Sequence, residues 1–172
     1  MKKVVVTGPE CSGKTTLAQQ LSEALGVPFM EEIARSYLTD REGRYALEDI
    51  EQIARLHIEA ESIYSGKSDL LILDTDLITL EIWAEEKFGT VPDIIADAVK
   101  SRQYDLYLLC MPEMPWEYDP LRENPSDRDR LLDIYLHKLE VLSRHFVVIS
   151  GTPEQRLRLA IEHISHIALL DS

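Results

Sequence analysis

Hydrophobic positions along the chain alternate between two periods. Short unbroken apolar runs at Val4-Val5-Val6, Val27-Pro28-Phe29-Met30, Leu70-Leu71-Ile72-Leu73, Leu106-Tyr107-Leu108-Leu109-Cys110 and Phe146-Val147-Val148-Ile149 have the length and make-up of strands buried on both faces of a parallel sheet. The stretches between them carry a helical period. Leu17, Ala18, Leu21, Ala24 and Leu25 mark a helix over Lys14–Leu25 that Gly26 stops. Further helices are expected over Ile33–Leu38, Leu47–Tyr64, Asp76 through Phe88 (ended by Gly89), Val91 to about Ser101, Arg128 to about Arg144, and Pro153–Leu170. Strands and helices in strict alternation predict a doubly wound, five-stranded parallel sheet covered by helices on both faces, a three-layer α/β/α sandwich. The 172 residues fit one domain, 1–172, with no repeat or low-complexity tract. Chemistry is then expected at the carboxyl ends of the strands.

Charge narrows the partners. A formal net charge of −13 argues against nucleic acid and anionic membrane as ligands, because both demand a basic surface. No apolar run reaches the ~20 residues of a membrane span, and Met1-Lys2-Lys3 leads directly into a strand, so no leader is expected. The two cysteines, Cys11 and Cys110, have no metal-ligand spacing, which fits a reduced, cytoplasmic protein. A small anionic substrate handled in one cleft suits such a chain; a homo-oligomer is left open.

One motif gives that cleft a chemistry. Gly8-Pro9-Glu10-Cys11-Ser12-Gly13-Lys14-Thr15, followed by Thr16, joins the first strand to the first helix. It is the G-x-x-x-x-G-K-[ST] phosphate loop in its confirming context. The glycines let successive N–H groups turn inward around a phosphate, and the helix adds its positive end. Lys14 is expected on the β/γ-phosphates and the Thr15 hydroxyl on Mg²⁺, with ATP as co-substrate. An ordinary glycine-rich turn is the bland alternative. Cys11 could serve redox chemistry or simply fill a variable loop position.

Other strand ends supply partners for the loop. Asp74 closes the third strand, where a carboxylate helps hold Mg²⁺; alternatively Asp74, Thr75 or Asp76 caps the next helix. Glu32 and Arg35 follow the second strand, where an acceptor hydroxyl would lie: Glu32 could take its proton, a role equally open to Asp74 or Asp76, and Arg35 could orient the substrate. A solvated i,i+3 ion pair is the alternative. The Pro-, Trp- and charge-rich stretch 112–130 reads as a lid, with Trp116 to shield the cleft and Arg122, Arg128 and Arg130 to meet charge on a transferring phosphoryl group. Paired surface arginines are the alternative. Thr152 and Pro153, after the fifth strand, could border the nucleotide base or simply start a helix. His163 and His166 lack a third ligand and are expected on the surface.

Together these motifs resemble the NadR-type ribosylnicotinamide kinases, a branch of the phosphate-loop kinases. The likeness runs from Lys3 to about Ile164 and rests on Gly8–Thr15, Glu32-Ile33-Ala34-Arg35-Ser36-Tyr37, Asp74-Thr75-Asp76, Pro115-Trp116 through Arg122, and Gly151-Thr152-Pro153-Glu154-Gln155-Arg156. The resemblance implies a P-loop NTPase fold and ATP-dependent phosphorylation of the ribose 5′-hydroxyl of nicotinamide riboside. It implies acceptor contacts at Glu32, Arg35, Tyr37, Asp74, Asp76 and Trp116, and nucleotide contacts at the loop, Arg130, Thr152 and Pro153. Some members are fused to an adenylyltransferase and a DNA-binding region; no such segments are expected here. The sequence departs from the family pattern at Ile33 and Ser36, at Glu31 in place of a bulky residue, and at His57 in place of a glutamine, positions expected to border the acceptor pocket. Rival readings are a kinase for another nucleoside, nucleotide or small metabolite, and a nucleotide-dependent switch acting on a protein partner.

Overall fold

The computed structural model describes residues 1–39, 41, 44–119, 122–123 and 126–169, with 168 and 169 described by their backbone alone. The elements follow the predicted alternation: β1 (Lys2–Thr7), α1 (Lys14–Leu25), β2 (Phe29–Met30), α2 (Ile33–Thr39), α3 (Leu47–Ile63), β3 (Leu70–Asp74), α4 (Leu77–Phe88), α5 (Asp93–Ser101), β4 (Leu106–Cys110), α6 (Arg128–Val141), β5 (Phe146–Ile149) and α7 (Pro153–Leu169). All strand pairs are parallel, in the order β2-β3-β1-β4-β5. This is the expected three-layer α/β sandwich.

Strand alternation sorts the apolar residues into two cores. Val5, with Leu73 beside it on one flank and Tyr107 on the other, faces the helices α2 to α6. Val4, Val6, Ile72, Leu106 and Leu108 face the opposite way and pack against α1 and α7. With both faces covered, β1, β3 and β4 need no polar positions, which is why their sequences read as continuous apolar runs. The central strand β1 therefore delivers the loop after Thr7 to the middle of the sheet's carboxyl edge, flanked by the ends of β3 and β4.

Several boundaries differ from expectation, and three of the differences have a visible cause. The second strand shortens to Phe29–Met30: Val27 is drawn into the end of α1 by its N–H bond to the Ser22 carbonyl, and Pro28 contributes only a carbonyl, to Ile72. β3 runs one residue further, so Asp74 pairs with Val6 inside the ladder. α6 stops at Val141 because Ser143 takes a positive φ of 51° and the Arg144 N–H turns back to the Leu139 carbonyl. Parts of the polar connector (40, 42, 43), of the predicted lid (120, 121, 124, 125) and the end of the last predicted helix (170) lie outside the described residues. Among the described residues no helix is long and apolar enough to cross a membrane.

Candidate functional site

The phosphate loop folds as its glycines require. Gly8 has φ 136°, and a Cβ there would sit 2.6 Å from the Cys110 carbonyl oxygen, so only glycine lets the loop leave β1 against the end of β4. Gly13 has φ 79°, and its missing side chain is replaced by the Met114 methyl group, which lies where a Cβ would be only 2.6 Å away. The Ser12 hydroxyl donates to the Pro9 carbonyl at 2.8 Å and closes the loop from within. The Lys14 ammonium donates to the same Pro9 carbonyl at 2.8 Å, so the lysine lies folded over its own loop.

Beside the loop stands Asp74. The Thr15 hydroxyl donates to Asp74 Oδ2 at 2.6 Å. Asp74 is 1% exposed, and its Oδ1 is buried without a hydrogen-bond partner. Burial pushes this carboxyl above the ordinary aspartate range, against the opposing pull of the Thr15 hydroxyl, Lys14 and Arg35. A hydroxyl and an oxygen with an unused lone pair beside a lysine and a helix N-terminus form a donor set suited to Mg²⁺ accompanied by phosphate. Thr15 and Asp74 are the residues that would hold that ion.

One cleft opens beside the loop. The loop, residues 8–16, forms one end. Glu32 and Arg35 project from α2; Thr79, Ile82, Trp83 and Glu86 present one face of α4; Leu131 and Tyr135 come from α6; Arg122 comes from the connector. The α4 residues fall at i, i+3, i+4 and i+7, a single helical stripe. Trp83 is backed by Tyr45, with ring centroids 5.6 Å apart, and Phe88 meets Tyr45 edge-on at 6.1 Å. Within this lining the Thr79 hydroxyl accepts from the Tyr135 hydroxyl at 3.3 Å, and it pairs with Thr7 at 3.3 Å.

Glu32 is held above the ordinary glutamate range, first by burial and further by Asp74, while Lys14 and Arg35 pull it down. Arg35 Nε stands 3.8 Å from Glu32, and its Nη1 donates to Asp119 of the connector at 2.9 Å. The connector also bonds the loop directly. Arg128 donates to the Cys11 carbonyl at 3.2 Å and the Met114 carbonyl at 2.8 Å. Arg122 donates to Cys11 Sγ at 3.4 Å and the Glu117 carbonyl at 2.7 Å. Cys11 donates its S–H to the Pro115 carbonyl, and Glu10 accepts the Glu123 N–H.

The structure thus gathers Gly8, Glu10, Cys11, Ser12, Gly13, Lys14, Thr15, Thr16, Glu32, Arg35 and Arg122 around one cleft, with Asp74 and Arg128 bonded to the loop. Others stand elsewhere. Asp76 is buried as the N-cap of α4, accepting from the Ile78 N–H at 3.2 Å and the Tyr107 hydroxyl at 3.0 Å. Tyr37 donates to Asp49 on α3. Trp116 lies under the Arg128 guanidinium, 5.9 Å away. Arg130 is paired with Glu86 and Asp127 at the rim. Thr152 and Pro153 open α7, where Thr152 and Gln155 exchange backbone-to-side-chain bonds. His57, expected at the acceptor pocket, is 3% exposed; desolvation lowers its pKa to about 4, and Glu61 and Arg102 are the charges it feels. It is absent from the cleft lining because α3 turns it inward.

Residues that sequence reading missed are the α4 stripe, Leu131, Tyr135, Asp119 and Arg156. The spacing of Thr79, Ile82, Trp83 and Glu86 carried a signal, since a stripe bounded by a threonine and a glutamate is polar at both ends. Arg156 is 2% exposed and reaches the loop: its Nη1 donates to the Ser12 carbonyl at 2.7 Å.

A phosphate loop, a carboxylate-hydroxyl pair beside it and a cleft lined in part by Trp83 are the features a P-loop fold brings together. A family model described as an AAA domain matches residues 3–156, and the chain belongs to that family. The fold is similar to that of NadR protein crystallised in complex with NR (TM-score 0.75, 21% identity), covering 96% of this chain and 51% of that one, so the chain spans about half the NadR length. It is also similar to deoxyadenosine kinase from M. mycoides, with dCMP and dCDP bound (TM-score 0.62, 12% identity, 95% and 99% covered) and with dATP bound (0.60, 12%, 96% and 100%). No curated protein matches the sequence. At these identities the likeness establishes the fold.

Proposed function

We propose that this chain is an ATP-dependent kinase that phosphorylates the ribose 5′-hydroxyl of nicotinamide riboside. The observation that carries the reading is the single cleft lined together by the phosphate loop, Glu32, Arg35 and Trp83, the last in contact with Tyr45. The fold it shares with an NR-bound NadR supports the choice of acceptor.

In this mechanism Lys14 leaves the Pro9 carbonyl for the β/γ-phosphates, which the loop amides cradle. Thr15 and Asp74 are the residues that would hold Mg²⁺, which would supply positive charge to offset that of the phosphates. Glu32 accepts the proton of the acceptor hydroxyl; its raised pKa brings it nearer to working pH and makes it a better base than an exposed glutamate. As the hydroxyl oxygen bonds to the γ-phosphorus, the bond to the β,γ-bridging oxygen breaks and ADP leaves with the electron pair. Arg35 and Arg122, which line the cleft, are assigned to charge on the transferring group, Arg128 to the loop backbone it bonds, and the connector to the lid.

The test is phosphoryl transfer from γ-labelled ATP by the purified chain to a panel holding nicotinamide riboside, deoxyadenosine, deoxycytidine and other nucleosides. Nicotinamide riboside is expected to give the mononucleotide with the highest kcat/KM, and Lys14→Ala to abolish transfer. A better deoxynucleoside acceptor would favour the second reading, which the full-length likeness to deoxyadenosine kinase supports. ATP hydrolysis without any phosphorylated small product would point to a switch acting on a protein partner.

A further inference from the structure

Arg156 lies on α7, outside the cleft lining, yet its guanidinium touches the ends of three strand-terminal loops. Nη1 donates to the Ser12 carbonyl after β1, Nη2 to the Met111 carbonyl after β4 at 2.9 Å, and Nε to the Gly151 carbonyl after β5 at 2.9 Å. Nη2 also meets Glu113 Oε2 at 2.8 Å, and the same oxygen accepts the Gly151 N–H at 2.9 Å. A guanidinium only 2% exposed is tolerable because its planar fork is satisfied on all three nitrogens.

The contact with Ser12 has a consequence for the loop's chemistry. In a trans peptide the carbonyl of Ser12 and the N–H of Gly13 point in opposite directions, and no cis peptide occurs here. Arg156 Nη1 lies behind the loop, 3.7 Å from where a Gly13 Cβ would stand. Holding the Ser12 carbonyl toward Arg156 therefore holds the Gly13 N–H toward the concave side, where a phosphate would sit. Nothing else described bonds that carbonyl.

We propose that Arg156 is a positioning residue for nucleotide binding: it fixes the Ser12–Gly13 peptide so that the phosphate loop is pre-formed, and it ties that loop to the Gly151–Thr152 turn. The inference rests on the nucleotide-binding reading above. A preformed anion nest avoids an ordering cost at binding, so loss of the clamp weakens nucleotide binding while leaving the acceptor compartment intact.

Calorimetry of Mg-ATP binding to the whole chain tests this. Arg156→Lys keeps the charge but cannot span three carbonyls; Arg156→Gln removes both. Both are expected to weaken Mg-ATP binding at least tenfold, with nicotinamide riboside binding changed less than twofold. Ile164→Ala, elsewhere on α7 and 4% exposed, serves as the stability control: it lowers Tm and leaves the Mg-ATP Kd unchanged. Wild-type affinity in Arg156→Lys overturns the proposal, as does an equal loss in Ile164→Ala. Should the Arg156 variants fail to fold, Glu113→Gln, at a half-exposed side chain, is expected to raise the Kd threefold or more, and an unchanged Kd overturns the proposal. A wild-type chain that binds no Mg-ATP overturns the kinase reading itself, an outcome separate from variants that bind as well as wild type.

Discussion

The Thr15 hydroxyl and the Asp74 carboxylate lie 2.6 Å apart, joined by a hydrogen bond between the first residues of α1 and the last residue of β3. The second Asp74 oxygen faces buried space without a partner, an uncompensated group that costs stability in the absence of a cation. Asp74→Asn should therefore separate stability from function. The amide can still accept from Thr15 and carries no charge to bury, so Tm in the absence of nucleotide is expected to hold or rise. Turnover is expected to fall about 100-fold or more, the scale of losing one preorganised electrostatic partner. Thermal melts beside steady-state kinetics over a Mg²⁺ series check both halves.

Glu32 makes a prediction about pH. Burial raises its pKa above the usual glutamate value, so the base form is lost as pH falls through that raised value, and the acidic limb of the kcat profile should lie above pH 4.5. Glu32→Gln is expected to lower kcat by about 10²–10⁴ and to erase that limb, with the KM for ATP little changed. An unchanged profile in the variant would assign the proton to another group.

Asp76 governs stability, with a definite sign. Desolvation pushes its pKa up to about 7, against the donors Tyr107 and the amides at the start of α4. The folded state therefore binds a proton more readily than the unfolded chain between about pH 4 and 7, and stability falls as pH rises through that window. The stabilisation present below pH 4 is lost by pH 7, on the order of 2–4 kcal/mol for a shift of this size. Asp76→Asn keeps the cap acceptor for Ile78 and should flatten the slope. Urea unfolding of both proteins at pH 4, 5.5 and 7 provides the comparison.

That Asp74 and Asp76 part company explains how far a sequence can carry a reader. The three central strands, β1, β3 and β4, were legible because strands covered on both sides need apolar residues at nearly every position; β5 reads the same way although its Val148 is exposed. The phosphate loop was legible because its function is local to eight residues. Two carboxylates two positions apart suggest one shared face. Thr75, at φ 68°, breaks the alternation and sends Asp76 to Tyr107 instead. The α4 stripe was not separable from its neighbours by period alone, since the side of a helix that faces a cleft and the side that faces a sheet share one period. Arg156 could be quoted from its motif, but its reach to Ser12, 144 residues away, is a property of the folded chain.

Asp119 ties the connector to α2 through its 2.9 Å bond with Arg35. Removing the charge by Asp119→Asn leaves Arg35 free to swing, because its other carboxylate partner, Glu32, is 3.8 Å away. Acceptor KM is expected to rise about three- to tenfold, in line with a half-exposed charge-assisted bond, and the KM for ATP to stay within twofold. Arg35→Lys, which cannot bridge both carboxylates in one plane, should do more harm. Kinetics in 0.5 M salt give a further check, since screening should narrow the gap between wild type and Asp119→Asn.

Trp83 tests whether the cleft holds an aromatic base. Its ring lines the cleft and is backed by Tyr45, which is itself held edge-on by Phe88 and capped by the Lys87 ammonium 3.7 Å from its centroid. That stack leaves Trp83 little room to turn, so a planar acceptor would meet a ring already fixed in place. Base-on-aromatic contact is worth about 1–3 kcal/mol. Trp83→Ala is therefore expected to raise acceptor KM about tenfold or more, with the KM for ATP unchanged, while Trp83→Phe keeps a ring and should stay within about threefold. Should Trp83→Ala leave acceptor KM at the wild-type value, the base does not rest on this wall, and the aromatic cluster serves only to hold α4 against the segment before α3.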